Sequence, residues 1–160
     1  MENKNFTHVD GKGNPGMVDV SDKAITKRTA TAQAIVMVNE EVLQHLEGGE
    51  INTRKGPVFQ TAIIAGTMGS KKTADLIPLC HPLGLESCKI QITVNDLKEI
   101  VITCSASITS NTGVEMEALT GASIAALTIY DMCKSFSHDI VIKEIKLKEK
   151  TGGKSDYTNR

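Results

Sequence analysis

The periodicities along this 160-residue chain predict an α+β fold of the ferredoxin-like, split βαβ type: an antiparallel or mixed sheet with helices on one face and one extra helix. Three observations carry that expectation. Four segments alternate apolar and polar residues with the period of two that a half-buried strand needs, and other segments repeat apolar residues at three- and four-residue steps. They follow one another in the order β-α-α-β-β-α-β. The length matches one domain on a prior of ~150 residues each, so residues 1–160 read as a single domain.

Residues 1–27 are polar and rich in Gly, Lys and Asp without a sustained period, which predicts an irregular arm, flexible over residues 1–16. Thr29 to Val38 predicts the first strand, with Ala30, Ala32, Ala34, Val36 and Val38 on one side. Asn39 caps a short helix that carries acids in its first turn and stops at Gly48-Gly49. Lys55-Gly56-Pro57 opens a second helix with Val58, Ala62, Ala65 and Met68 at helical spacing. That run resumes through Thr73 to Leu76 before Pro78 forces its predecessor out of the α region. Ser87 to Val94 and Glu99 to Ile108 are alternating strands, and Asn95-Asp96-Leu97-Lys98 is the hairpin between them. Thr112 to Phe136 predicts the longest helix, with Leu119, Ala122, Ala126, Ile129, Cys133 and Phe136 on one stripe. Asp139 to Lys148 is the last strand, with Ile145 and Leu147 facing inward.

Composition excludes several function classes. Eighteen Lys and Arg against nineteen Asp and Glu leave a net charge of −1, which is not the footprint of a protein held to nucleic acid or to an anionic membrane. With no Trp, two Tyr and three Phe there is little to stack on bases. No window approaches the ~20 apolar residues of a membrane span and no signal peptide opens the chain, so a cytoplasmic protein is expected. Cys80, Cys88, Cys104 and Cys133 lie in apolar segments without a C-x-x-C pair and read as buried thiols. The four His form no ligand spacing, so no metal site is expected.

Two glycine patterns fail on context. Gly11 to Gly16 satisfies G-x-G-x-x-G, but no strand precedes it, Pro15 sits inside it and no helix follows. Gly153-Lys154-Ser155 resembles the end of a P-loop, yet Lys148 stands in the first glycine's place. There a mobile Gly-Gly turn between Lys150 and Lys154 offers two ammonium groups to an anion, against the plainer reading of a solvated tail. Pro78-Leu79-Cys80-His81-Pro82 stiffens a loop that presents one imidazole and one thiol, suited to acid–base work or to an ordinary structural turn. Glu115 stands three residues after Thr112 and fits a capping box; Glu117 has no such structural role. Asp131 and Lys134 are a lone acid and a lone base on a nearly apolar helix, which suggests a lined cavity or an interface over a plain surface pair. Lys55, Lys71 and Lys72 add positive charge.

Together Met-Val-Asp-Val-Ser at 17–21, Lys-Gly-x-Val-Phe from Lys55, Asp-Leu-Ile-Pro-Leu-Cys-His-Pro-Leu at 75–83, Thr-Gly-Val-Glu-Met-Glu-Ala-Leu-Thr from Thr112, Ala-Leu-Thr-Ile-Tyr-Asp-Met-Cys-Lys at 126–134 and Lys-Thr-Gly-Gly-Lys-Ser from Lys150 resemble one family. It is the cyclic pyranopterin monophosphate synthases, the MoaC-type accessory enzymes of molybdenum cofactor biosynthesis. The likeness covers roughly residues 17–155. It implies a lyase that converts 3′,8-cyclised dihydro-GTP into cyclic pyranopterin monophosphate and releases pyrophosphate by general acid–base catalysis. It implies no redox cofactor; Mg2+ accompanying the triphosphate stays open. By resemblance Asp131 is the active-site carboxylate, Lys134 and His81 are catalytic, and Leu79, Cys80, His81, Glu115, Met116, Glu117, Lys55, Lys150 and Lys154 bind substrate. The family's plan also implies a homo-oligomer, a hexamer built as a trimer of dimers. Since Glu117 and Asp131 lie roughly 21 Å apart along one helix at ~1.5 Å per residue, one small pocket cannot hold both, and an active site at a dimer interface is expected. The other function class left open is a non-catalytic nucleotide- or phosphate-binding oligomeric module.

Overall fold

The computed structural model describes residues 8–159. In chain order the elements are β1 (Thr26–Met37), α1 (Glu40–Leu43), β2 (Leu46–Glu47), β3 (Glu50–Thr53), β4 (Gly56–Pro57), α2 (Val58–Lys71), α3 (Thr73–Leu76), β5 (Ser87–Val94), β6 (Ile100–Ser110), α4 (Glu115–Cys133), β7 (Val141–Thr151) and β8 (Tyr157–Thr158). The main sheet runs β5-β6-β1-β7-β8 and every neighbouring pair is antiparallel. The crossover through α2 joins β1 to β5 with β6 between them, and the crossover through α4 joins β6 to β7 with β1 between them. The fold is therefore α+β with an antiparallel sheet, and its strand order is consistent with the split βαβ plan.

One sheet face is apolar because alternation is nearly unbroken: Ala30, Ala32, Ala34 and Val36 of β1 and Ile100, Ile102, Cys104, Ala106 and Ile108 of β6 are all buried. The opposite face is hydroxyl-rich, with Thr31 Oγ1 and Ser105 Oγ 2.9 Å apart and Thr29 Oγ1 and Thr151 Oγ1 2.7 Å apart. Three alanines on β1 meet Ala118, Ala122, Ala125 and Ala126 of α4 in the same core, so that helix lies close against the sheet.

Helices α2 and α4 cross where both have lost their side chains. A Cβ on Gly66 would stand 2.7 Å from Gly121 O and 2.5 Å from Ile90 Cδ1. A backbone carbonyl cannot swing aside, so Gly66→Ala must push the helices apart. The expected cost is about 1–3 kcal/mol, read as a lower urea midpoint at unchanged slope.

Several expectations need correction. β1 begins at Thr26, because Thr26, Lys27 and Arg28 pair with Ser110, Thr109 and Ile108; ladder hydrogen bonds are made by backbone, whatever the side chains. The expected arm of residues 1–16 lies in part, at 1–7, outside the described residues, and from Asp10 to Asn14 it forms a turn held by the Asp10 carboxylate. Helix α1 is a single turn capped by Asn39 and does not reach Gly48-Gly49, whose φ of 60° and 82° make the turn between β2 and β3. On α2 the buried stripe runs through Gly66 and Gly69, whereas Met68 is exposed. Two register shifts along β7 skip Lys148 and Lys143, and Ile142 and Leu147 turn to the core while Ile145 stays exposed. Cys104 and Cys133 are buried as expected, but Cys80 and Cys88 are only partly so.

Candidate active site

The stiff loop after α3 lies against the start of α4. Ile77 is extended, as its place before Pro78 requires, and the chain then passes Leu79, Cys80 and His81 along a cavity of about 690 Å³ that also takes in Glu115, Met116 and Glu117. His81 Nε2 lies 2.8 Å from the Val18 carbonyl oxygen. A carbonyl only accepts, so Nε2 carries the ring hydrogen and, in the neutral ring, Nδ1 is the free acceptor. Glu117 is only 4% exposed, while the Ser70 hydroxyl donates to its backbone oxygen at 2.9 Å. Burial raises its carboxyl above the ordinary value, and the Glu115 charge adds to that. Cys80 is likewise pushed up, first by burial and then by Glu117.

A raised carboxyl has a stability consequence of definite sign. Between its unfolded and folded titration ranges the folded state binds more protons, so folding stability contributed by Glu117 is present in acid and lost as pH rises through that window. Glu117→Gln removes the charge that is costly when buried. Its Tm is expected to exceed that of the wild type at neutral pH and to converge with it below the window, as thermal unfolding across pH 4 to 8 would register.

A second cavity of about 240 Å³ adjoins the first through Lys23, Thr112, Gly113 and Glu115. Lys150 and Lys154 line it, together with Lys23 and Arg28. Lys150 belongs to β7 and Gly152 to Lys154 form the turn into β8, with Gly152 N donating to Asp156, so the two lysines stand on a hairpin end and not on an unpaired tail. The capping box is also corrected: Val114 precedes α4 without a side-chain cap, and Glu115 pairs with Lys150 at 3.0 Å, its carboxylate folded against Gly113 where a Cβ would stand. Four cations around one carboxylate leave this end of the site strongly attractive to a polyphosphate.

His8, Lys23 and Arg28 were missed by sequence reasoning. Arg28 reaches the site because β1, on which it lies, pairs with both β6 and β7, a register no local pattern discloses, and Lys23 stands in the turn just before that strand. The arm's course is set by His81 and by Asn111, whose Nδ2 donates to Val20 O at 2.9 Å.

Asp131, Lys134 and Lys55 form a second group that lines neither cavity. Lys134 Nζ is 2.7 Å from Asp131 Oδ1, and Lys55 Nζ is 2.9 Å from Oδ2 and 3.0 Å from the Asp131 carbonyl oxygen. Lys134 first and Lys55 second hold the carboxyl down at about 2. Lys134 is correspondingly raised by Asp131 and stays an ammonium at neutral pH. Lys71 and Lys72, at the far end of α2, are solvent-exposed. Among the described residues no three His, Cys, Asp or Glu side chains converge where a metal ion could be held, and no helix is long and apolar enough to cross a membrane.

A family model described as the MoaC family matches residues 17–153. The chain is 52% identical over 172 residues to molybdenum cofactor biosynthesis protein 1 of Dictyostelium discoideum, covering 97% of this chain and 27% of that protein. It is 55% identical over 157 residues to the molybdenum cofactor biosynthesis bifunctional protein of Synechocystis sp., covering 96% of this chain and 45% of that one. Against cyclic pyranopterin monophosphate synthase of Xanthomonas axonopodis pv. citri identity is 50% over 151 residues, or 94% and 92% of the two chains. The chain thus spans about a quarter and under half of the first two relatives and nearly all of the third.

Proposed function

This chain belongs to the MoaC family, and from that premise we propose that residues 1–160 form a single cytoplasmic lyase domain that turns cyclised dihydro-GTP into cyclic pyranopterin monophosphate and pyrophosphate. The observation that carries the reading is the cavity pair: a buried carboxyl and an imidazole at one end, four cations at the other. The reaction opens and recloses rings by proton transfers, then a sugar hydroxyl attacks the α-phosphorus while pyrophosphate departs. Lys150, Lys154, Lys23 and Arg28 hold the triphosphate and take up the charge that develops on the leaving group. Leu79, Cys80, Met116 and Glu117 receive the base and ring portion, with His81 Nδ1 as proton acceptor.

Asp131 is ionised throughout the working pH range, so its part is to orient and to hold charge next to Lys134, and Lys134 enters as the proton donor. Lys55 completes that group. Because it stands a helix-length from Glu117, the reactive centre combines the cavity of one subunit with the Asp131 group of a neighbour, in a homo-oligomer assembled from such dimers.

The test is incubation with freshly made cyclised dihydro-GTP and detection of pyrophosphate, with and without a chelator. Release of one pyrophosphate per product bears the reading out. Binding of the substrate without release would instead mark a nucleotide-binding module, and sensitivity to the chelator would make Mg2+ part of the triphosphate's recognition.

A further inference from the structure

Lys55 stands beside Asp131 on the two-residue turn of the β3–β4 hairpin. Strands β3 and β4 contribute only the pairs Asn52 with Pro57 and Thr53 with Gly56. Within the turn Lys55 N donates to Thr53 Oγ1 at 3.0 Å and Thr53 Oγ1 donates to Gly56 O at 3.2 Å, while β3 is anchored by buried Ile51, which pairs with Leu46 of β2. Helix α2, which follows at once, has Pro57 at its cap position and no side-chain cap from it. Its first free amides are met from elsewhere. Glu50, at the start of β3, accepts from Phe59 N at 2.7 Å and Ile51 N at 2.8 Å through Oε1, and from Gln60 N at 3.1 Å through Oε2. One carboxylate thus bolts the hairpin that carries Lys55 to the N-terminus of α2, and α2 is locked against α4 by the Gly66–Gly121 crossing.

We propose that Glu50 is a positioning residue for the Asp131 centre: by capping α2 from the preceding hairpin it fixes where Lys55 stands, and through Lys55 it sets the orientation of the Asp131 carboxylate. The inference rests on the proposed function only in taking Asp131 as part of the reacting centre. The charged groups facing Asp131 are Lys55 from the hairpin and Lys134 from its own helix, and Tyr130 acts on it indirectly through Lys134.

The sign of one titration separates this role from a direct electrostatic effect. Removing a negative neighbour lowers a carboxyl's pKa, whereas losing Lys55 raises it. Carbon-13 NMR titration of the Asp131 carboxyl should therefore show the midpoint of Glu50→Ala moving up from about 2 toward the ordinary 3.8. Lys55→Ala should move it the same way, and the double variant no further than Lys55→Ala alone. Glu50→Gln, which keeps one acceptor oxygen and preserves the fold, should show a smaller upward shift. Ile102→Val, a core substitution on β6, should lower Tm and leave Asp131 unmoved. A downward or absent shift in both Glu50 variants, or an equal further rise on the Lys55→Ala background, would overturn the proposal. With cyclised dihydro-GTP, kcat should fall in Glu50→Ala in the same direction as in Lys55→Ala. Absence of pyrophosphate release by the wild type would defeat the proposed function while leaving the titration result to stand or fall by itself.

Discussion

Asp131→Asn should fold as the wild type does and lose turnover by at least ~100-fold, the lower end of what a positioned proton-transfer group contributes. The two halves of that expectation come from the same geometry. The Asp131 side chain is 55% exposed and its partners are themselves half in solvent, so deleting its charge removes little from folding. The amide keeps the shape and one acceptor oxygen, but it cannot hold two ammonium groups at once. Lys134 remains an ammonium but loses the carboxylate that holds it in position, and Lys55 keeps only its bond to the backbone carbonyl at position 131. Thermal unfolding and single-turnover pyrophosphate release, measured on the same preparation, check both halves. Wild-type stability with near-wild-type release would sink the assignment of the centre.

Mixing two nearly dead proteins should restore activity. Glu117 opens α4 and Asp131 lies fourteen residues further on, so if both serve one reaction the start of one subunit's α4 must meet the end of its neighbour's across a two-fold axis. In a dimer of one Glu117→Ala chain and one Asp131→Ala chain, one site then receives both intact groups and the other receives both lesions. Random exchange makes half of the dimers mixed, and half of their sites whole, so about a quarter of wild-type activity should return. Subunit exchange followed by mass-tagged chains gives the control. Exchange without recovery would put both roles inside one chain and defeat the interface.

Legibility of the fold in the sequence followed the range of the interactions that decide each element. Strands β5 and β6 alternate strictly, and Asn95 stitches their hairpin with its own side chain by accepting from Leu97 N and Glu99 N, so everything needed is within five residues. Gly48-Gly49 misled because a glycine pair ends a helix and turns a hairpin equally well, and the choice was made by the pairing of Leu46 with Ile51. Apolar spacing on α2 points to Ala65 and Met68, because a glycine carries no apolar side chain to mark a buried position. Gly66 is buried for the opposite reason, having no side chain to keep α4 away.

The site divided along the same line. The carboxylates and lysines of α4 could be placed because helical rise converts sequence separation into distance, which is how the gap between Glu117 and Asp131 was legible. Lys23 and Arg28 were not, since no helix or short turn relates them to Lys150 and Lys154. What brings them together is long-range: the pairing of β1 with β7, with Lys23 in the turn before β1 and Lys154 in the turn after β7.

The two register shifts along β7 bear on a different property, how the protein behaves when crowded. Among the described residues the outer edge of this strand has no strand partner from Val141 to Leu147, as β8 covers Glu149 and Lys150 and Asn159 N donates to the Lys148 carbonyl oxygen at 2.7 Å. An unpaired edge invites another chain to extend the sheet and so seeds fibrils. Here the residue left over at each bulge is a lysine, Lys148 at one and Lys143, whose ammonium pairs with Glu99 at 2.8 Å, at the other, and each bulge breaks the even spacing of amides. An incoming strand would find neither a continuous ladder nor an apolar row, and beyond β7 the sheet carries only the two-residue β8.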